Sequence, residues 1–377
     1  MEQRSLTSTH PGSMVRLRLA RGVGRLAAVG ALLAFVFVAP QVRAAWTIVE
    51  LHPDGWPESI ALGVSGGQQA GYVASTVQHA ALWTGSAGSF VNLHPDGWRL
   101  SYATGVSGGQ QVGYVTDHSG FMRAALWSGS ADSFVNLHPA GWYESRAYGV
   151  SGGQQVGYVG DSVGRRRAAL WSGSAGTFVD LHPSGWRTSW AFDVFGGQQV
   201  GYAIDASFNV RAALWSGSAG SFVNLHPSGW HQSQAIGTSG DQQAGHVTDQ
   251  SGLTRAALWS GSASSFVNLH PGGWRQSYAY GVSGGQQVGR VIDAFGHTRA
   301  AFWSGSAASF VNLHDFLPAE YSSSEARGIW HQNGVTYVVG SGFYEPTGRF
   351  RAVMWIIPEP ASLLGLGLAL ALFPRRR

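Results

Sequence analysis

The sequence predicts an all-β chain closed into a seven-bladed β-propeller, and three observations predict it. Leu-His-Pro-x-Gly-Trp starts at Leu51, Leu93, Leu137, Leu181, Leu225 and Leu269 and returns in degenerate form at Leu313, so the spacing is 42 residues once and then 44 five times. Each interval holds four short strand-like segments parted by turn residues, which is the content of one propeller blade. The series also opens on a fourth-strand pattern, Trp46 to His52, before any first strand has occurred, and ends in a unit that lacks one. Pairing the two orphans closes a ring and leaves no open sheet edge. The alternative, an open β-solenoid, predicts distinct polar caps at each end instead.

The unit beginning at Ser101 justifies each element in turn. Ser101 to Ser107 alternates around Ala103 and Gly105 as a first strand. Gly108-Gly109 is a two-residue turn, because glycine takes the positive φ of a tight hairpin without strain. Gln110 to Val115 is the second strand, Asp117 to Gly120 a turn, Arg123 to Ser128 the third strand, Gly129 to Ser133 a turn, and Phe134 to His138 the fourth. First strands begin at Ser59, Ser101, Ser145, Ser189, Ser233, Ser277 and, more weakly, Ser324, which makes seven. The seventh unit has a second strand near Gly334 to Val339 and a third at Arg349 to Trp355. The first unit is two residues short between Tyr72 and Trp83, within one loop, where a repeated β unit tolerates a deletion.

The two ends read as addresses. A basic stretch, an apolar run from Leu26 to Ala39 and then Val42-Arg43-Ala44 form a secretory signal, residues 1–44, cut after Ala44. Its 14 apolar residues fall short of the roughly 20 that a spanning helix needs. The body, 45–357, is followed by a tail, 358–377: Ile357-Pro358-Glu359-Pro360-Ala361-Ser362, an uncharged run from Leu363 to Phe373, and Arg375, Arg376 and Arg377. Arginines after a short transmembrane segment stay on the cytoplasmic side, leaving the body outside the inner membrane. This tail resembles the PEP-CTERM sorting signal. The resemblance implies recognition and removal by an exosortase-like membrane protease, after passage through the secretion machinery. It implies transient membrane anchoring, then a cell-surface or extracellular product. The apolar run of 11 residues is shorter than a span, so Trp355 to Ile357 or local thinning would have to help.

Composition bounds the function. Cysteine is absent, so the exported body holds its fold without disulfides. The net charge of +4 comes from the ends: all 24 basic residues are arginine, and nine of them lie before residue 45 or after residue 374. The remaining 15 face 19 acids, and a mildly acidic body does not attract phosphate backbones, which excludes nucleic acid as a partner.

Residues that recur once per unit read as structure. Trp83, Trp127, Trp171, Trp215, Trp259, Trp303 and Trp355 fill the space between blades, each contributing about 2 to 3 kcal/mol when buried. Ala103 and Gly105 suit a narrow neck near the axis. His52, His94, His138, His182, His226, His270 and His314 stand one blade apart, too far for a shared metal ion, and each is expected to bond the backbone at its Pro-x-Gly turn. Asp117, Asp161, Asp205, Asp249 and Asp293 precede Arg123, Arg167, Arg211, Arg255 and Arg299 across a hairpin and read as turn braces worth at most about 1 kcal/mol each. The unit core, Ala-x-Gly-Val-Ser-Gly-Gly-Gln-Gln-Val-Gly-Tyr-Val, then Arg-Ala-Ala-Leu-Trp-Ser and Phe-Val-Asn-Leu, resembles the HAF-type extracellular repeat. The nearest versions of its His-Ala-Phe triplet are His79-Ala80-Ala81-Leu82 and Arg299-Ala300-Ala301-Phe302. The resemblance implies export and architecture, and no activity.

Positions that differ among copies are free of the shared structural duty. They cluster after Gly-Trp as Arg99, Tyr143, Arg187, His231 and Arg275, with Tyr102, Arg146, Trp190 and Tyr278 two or three residues on. This mixture points to a ligand face that grips a polymer, a polysaccharide in particular, by stacking and hydrogen bonding. The expected function is an exported, non-catalytic binding or scaffold module for exopolysaccharide or matrix partners, without cofactor. The alternative is a propeller hydrolase or lyase acting on glycans, which needs a pair of carboxylates or a histidine with a base. Asp193, Asp241, Asp315, Glu320 and Glu325 break the repeat but form no recognisable motif, so the sequence reads as no enzyme.

Overall fold

The computed structural model describes residues 46–358. The proposed cleavage site at Ala44 and the tail residues Glu359, Pro360, Arg375, Arg376 and Arg377 lie outside them. Of the sorting motif only Pro358 falls within, as the last residue of the strand Arg349–Pro358. Among the described residues no helix is long and apolar enough to cross a membrane.

Seven four-stranded antiparallel sheets stand in a ring. The second blade is typical, with an inner strand Leu100–Ser107, then Gln110–Thr116, Met122–Trp127 and an outer Val135–Asn136. Its hairpin turns on Gly108 and Gly109, at φ 58° and 82°. The outer strand has only two residues, against five expected, and a 3-10 turn, Ala131–Ser133, precedes it. The Ser133 hydroxyl locks that turn, accepting from the N–H of Ser128 and donating to the Ser130 carbonyl.

The last blade is built from both ends of the body. Thr47–Glu50 pairs antiparallel with Arg349–Pro358, Ile48 opposite Trp355 and Val49 opposite Met354. Val335–Tyr344 and the inner strand Tyr321–Gln332 complete the sheet. An open solenoid is thereby excluded. The N–H of Leu51 reaches the Ala352 carbonyl at 2.9 Å, and Glu50 holds Arg351 at 2.9 Å and the Tyr321 hydroxyl at 2.8 Å.

Each seam between blades is a hydrophobic cluster centred on a fully buried tryptophan. Trp127, with Leu93, Ala103, Val106 and Val115, meets Ala70, Ala80 and Leu82 of the blade before. Across the same seam the Ser101 hydroxyl accepts the N–H of Ala80 at 2.8 Å and bonds His94 Nδ1 at 2.9 Å. The other ring nitrogen of His94, His138 and His182 meets the carbonyl of Trp98, Trp142 and Trp186, as expected of the Pro-x-Gly turn. The serine contact was not read from the sequence. It recurs in all seven blades, from His52 with Ser59 to His314 with Ser324.

The turn braces form in three hairpins of five. Arg123, Arg211 and Arg255 lie 3.6 to 3.7 Å from Asp117, Asp205 and Asp249. Arg167 instead takes Asp180 at 2.9 Å, since this blade has aspartate where its neighbours have asparagine. Asp293 turns to His297, and Arg299 donates to the Ser322 carbonyl.

Candidate functional site

The inner strands enclose a central channel of about 310 Å³. Its lining is set by a β-bulge at the same point of every inner strand. In the second blade Ala103 pairs with Gly113 and Gly105 with Val112, so Thr104 is left over. A bulge re-aims the extra side chain, and here it sends it toward the axis. The seven bulge residues are Leu62, Thr104, Tyr148, Phe192, Ile236, Tyr280 and Arg327, and all of them line the channel. The glycines after them let the wall close: a Cβ on Gly105 would stand 2.6 Å from the Tyr148 carbonyl oxygen.

One of those glycines is replaced. Asp193 in the fourth blade lines the channel, its Oδ1 accepting the N–H of Val194 and its Oδ2 that of Thr238 in the next blade, both at 2.9 Å. Burial pushes its carboxyl up to about 7, against the opposing pull of those two N–H groups.

Outward of the bulges, toward the face where the loops between blades emerge, lies a belt of aromatic rings and guanidiniums. Tyr102 stacks on Tyr114 at 4.8 Å between centroids, and the Arg146 guanidinium lies 4.4 Å from the Tyr114 ring. Trp190 stacks on Tyr202 at 4.5 Å, while Arg166 sits over Tyr158 and Trp190 and is held by Glu144 at 2.9 Å. Across the ring, Arg290 lies 4.5 Å from Tyr278 and 3.2 Å from Glu325. The belt touches the channel lining through Tyr148 on Tyr158, Phe192 on Tyr202 and Tyr280 on Tyr278.

The structure divides the sequence-derived ligand face into two. Tyr102, Arg146, Trp190 and Tyr278 are half-buried in the belt and carry packing duty there, a correction to the reading that copy-specific positions are free of it. Arg99, Tyr143, Arg187, His231 and Arg275 are exposed further out. There Tyr143 meets Phe121 edge-on at 4.6 Å, and Arg187 covers Phe208 at 4.0 Å. Sequence reasoning missed Tyr148, Phe192, Tyr280 and Arg327, and the second-strand rings Tyr114, Tyr158 and Tyr202 that support them. The available signal was the residue after Ala in each first strand, which changes in every copy but one and is followed by Gly in six blades and by Asp193 in the fourth. Among the described residues no group of three or more His, Cys, Asp or Glu is placed to hold a metal ion.

Comparison with known families matches none, and comparison with curated proteins likewise finds no match. Solved structures share the ring. A puromycin hydrolase matches with a TM-score of 0.51 at 13% identity, over 78% of this chain and 53% of its own, so the chain spans about half the length of that protein. The β-propeller domain of the Trilobed protease from Pyrococcus furiosus matches at 0.50 and 7% identity, over 80% and 94%. Acylaminoacyl peptidase from Pyrococcus horikoshii matches at 0.50 and 9%, over 78% and 51%. At such identities the likeness is one of fold.

These structures correct the reading that the chain is no enzyme. That reading took a repeat ring without a motif as an argument against catalysis, whereas the rings matched here belong to peptidases and a hydrolase. A propeller therefore gives no ground for excluding catalysis.

Proposed function

We propose that this protein is an exported propeller that binds a carbohydrate polymer across its loop face. The observation that carries the reading is the belt on blades two to four, where Tyr102, Tyr114, Trp190 and Tyr202 are held as paired rings with Arg146 and Arg166 against them. Rings fixed by their neighbours lose little freedom when a sugar stacks on them, and guanidiniums supply donors to hydroxyls. The exposed Arg99, Tyr143 and Arg187 extend this chemistry outward, as a polymer longer than the channel mouth requires. Export rests on the signal-like N-terminus and on the resemblance of the tail to a PEP-CTERM signal, with the exosortase-like protease as processing partner and exopolysaccharide of the cell surface as ligand.

The test is a glycan array probed with the full chain, followed by retention assays with Trp190→Ala and Arg146→Ala. Retention that falls about tenfold or more in both variants, with unchanged circular dichroism, is the expected result. No retained glycan, or retention by either variant equal to that of the unaltered chain, would remove the proposal. Reducing ends are assayed in the same wells, and their accumulation would make the ring part of a glycan-cleaving protein.

A further inference from the structure

The channel holds a carboxylate that its own repeat does not call for. At the residue after the bulge six blades have glycine, namely Gly63, Gly105, Gly149, Gly237, Gly281 and Gly328, and at all of these but Gly281 the nearest atom of the inner wall is backbone. Asp193 is the exception, and it sits where removing a charge from water is costly. Among the described residues it has no ion-pair partner. Arg327, the other charged residue of the lining, is taken by Glu325 at 2.7 Å and lies over the Tyr280 ring at 4.8 Å. Each Asp193 oxygen accepts one backbone N–H and retains further acceptor capacity, and the side chain is partly open to the channel.

The surroundings decide which cation this carboxylate suits. A divalent metal wants six or more oxygen ligands, and among the described residues no second acid or histidine lines the channel with Asp193. Apart from Thr104 and Arg327, whose charge Glu325 offsets, the larger side chains of the wall are aromatic and aliphatic: Phe192, Tyr148 and Tyr280, with Leu62, Ile236 and Ile329. Such a wall favours a cation with an apolar body, since aromatic faces attract an ammonium and the stem gains from leaving water.

We propose that the central channel binds a primary ammonium carried on an apolar stem, its N–H groups bonded to the Asp193 carboxylate and its stem lying against Phe192 and Tyr148. About 310 Å³ suits a small molecule or a single side chain, so the ammonium comes either from a free alkylamine or from a lysine side chain of a peptide. The raised pKa of Asp193 agrees with this, because burial without a counter-charge is the cost that a bound cation relieves. This site adjoins the carbohydrate belt through Tyr148 and Phe192 but turns on a different group, Asp193, and neither reading depends on the other.

The experiment is calorimetric titration of the full chain at pH 8.5, where the carboxylate is ionised and the amine still charged. The probes are n-hexylamine, 1-hexanol and Nα-acetyl-lysine methylamide. Saturable binding of hexylamine, about tenfold or more tighter than hexanol, is expected. Asp193→Gly, which installs the residue of the other six blades, and Asp193→Asn, which keeps size without charge, should both lose it while melting temperature is retained. Binding of the lysine probe identifies a peptide side chain as the source, and binding of hexylamine alone a free amine. Binding of neither amine, hexylamine matched by hexanol, or amine binding undiminished in either variant would overturn the proposal. Glycan retention by Asp193→Gly is measured in parallel and should be unchanged, so that failure here and failure of the carbohydrate reading are told apart.

Discussion

The serine at the head of each inner strand and the histidine seven to ten residues before it join two blades through one hydroxyl. In His226 and His270 the second ring nitrogen faces a guanidinium, Arg211 and Arg255, which can only donate. That nitrogen is therefore unprotonated, and Nδ1 carries the proton toward Ser233 and Ser277. A second proton on either ring would point at the guanidinium, which outweighs the nearby carbonyl of Trp230 or Trp274. Burial holds all seven histidines below their ordinary value, with a nearby arginine adding to it in most, and His226 and His314 come down to about 4. Between those values and the ordinary 6.5 the unfolded chain binds protons that the ring refuses, so stability is full above about pH 6.5 and is lost as pH falls toward 4. Asp193 runs the other way: its carboxyl is raised to about 7, so its share of stability is present at low pH and is lost as pH rises through that value. His79 and His246 are lowered as well, so with one raised carboxyl against nine lowered histidines the melting temperature should drop by about 10 °C or more between pH 7 and pH 4.5. A thermal melt series checks this, and a flat profile would refute it. The histidine period and its turn contact were legible in the sequence. The serine was not, because its bond crosses from one unit to the next and a lone recurrent serine has no signature.

At the scale of the strand, the bulge explains a glycine that the repeat displays without a reason. Gly113 in Gln-Gln-Val-Gly-Tyr lies opposite the bulge, and a Cβ there would stand 1.8 Å from the Tyr102 carbonyl oxygen. The same clash awaits at Gly71, Gly157, Gly201, Gly245, Gly289 and Gly340. Because the obstacle is backbone, no rotamer change relieves it. Gly113→Ala should cost about 2 to 4 kcal/mol in a denaturant titration. Gly176→Ala, in a 3-10 turn where an added Cβ would meet nothing within 4 Å beyond its chain neighbours, is the control and should stay within about 0.5 kcal/mol. Equal midpoints for the two variants would mean that the bulge is not held as described. Strand count and hairpin positions were legible from alternation and paired glycines. The bulge was not, since one extra residue leaves Ser-x-Ala alternation intact on its near side. Everything that it aims inward, Tyr148, Phe192 and Arg327 included, was consequently read as ordinary strand.

Closure belongs to the whole molecule, and it was legible because counting strands needs no side-chain detail: one was surplus at the front and one was missing at the back. What the count did not reveal is how much the clasp carries. Leu51 is fully buried in the seam with Trp83, Ala61 and Met354, and Trp46 packs edge-on to Phe302 at 5.4 Å, so the short N-terminal segment touches both seams of the last blade. Glu50 adds an ion pair to Arg351 and accepts from Tyr321, tying that segment to the third and first strands of the same sheet. Deleting residues 46–52, with all else retained, would bare the edge of Arg349–Pro358 and empty the place of Leu51. A sheet edge left unpaired recruits another strand, so the deleted chain should both melt about 10 °C or more lower and associate on light scattering. A synthetic peptide of residues 46–52 added in excess should return it toward the monomer by refilling the clasp. A deleted chain that stays monomeric with its melting temperature within about 2 °C would mean that the ring closes without its outermost strand.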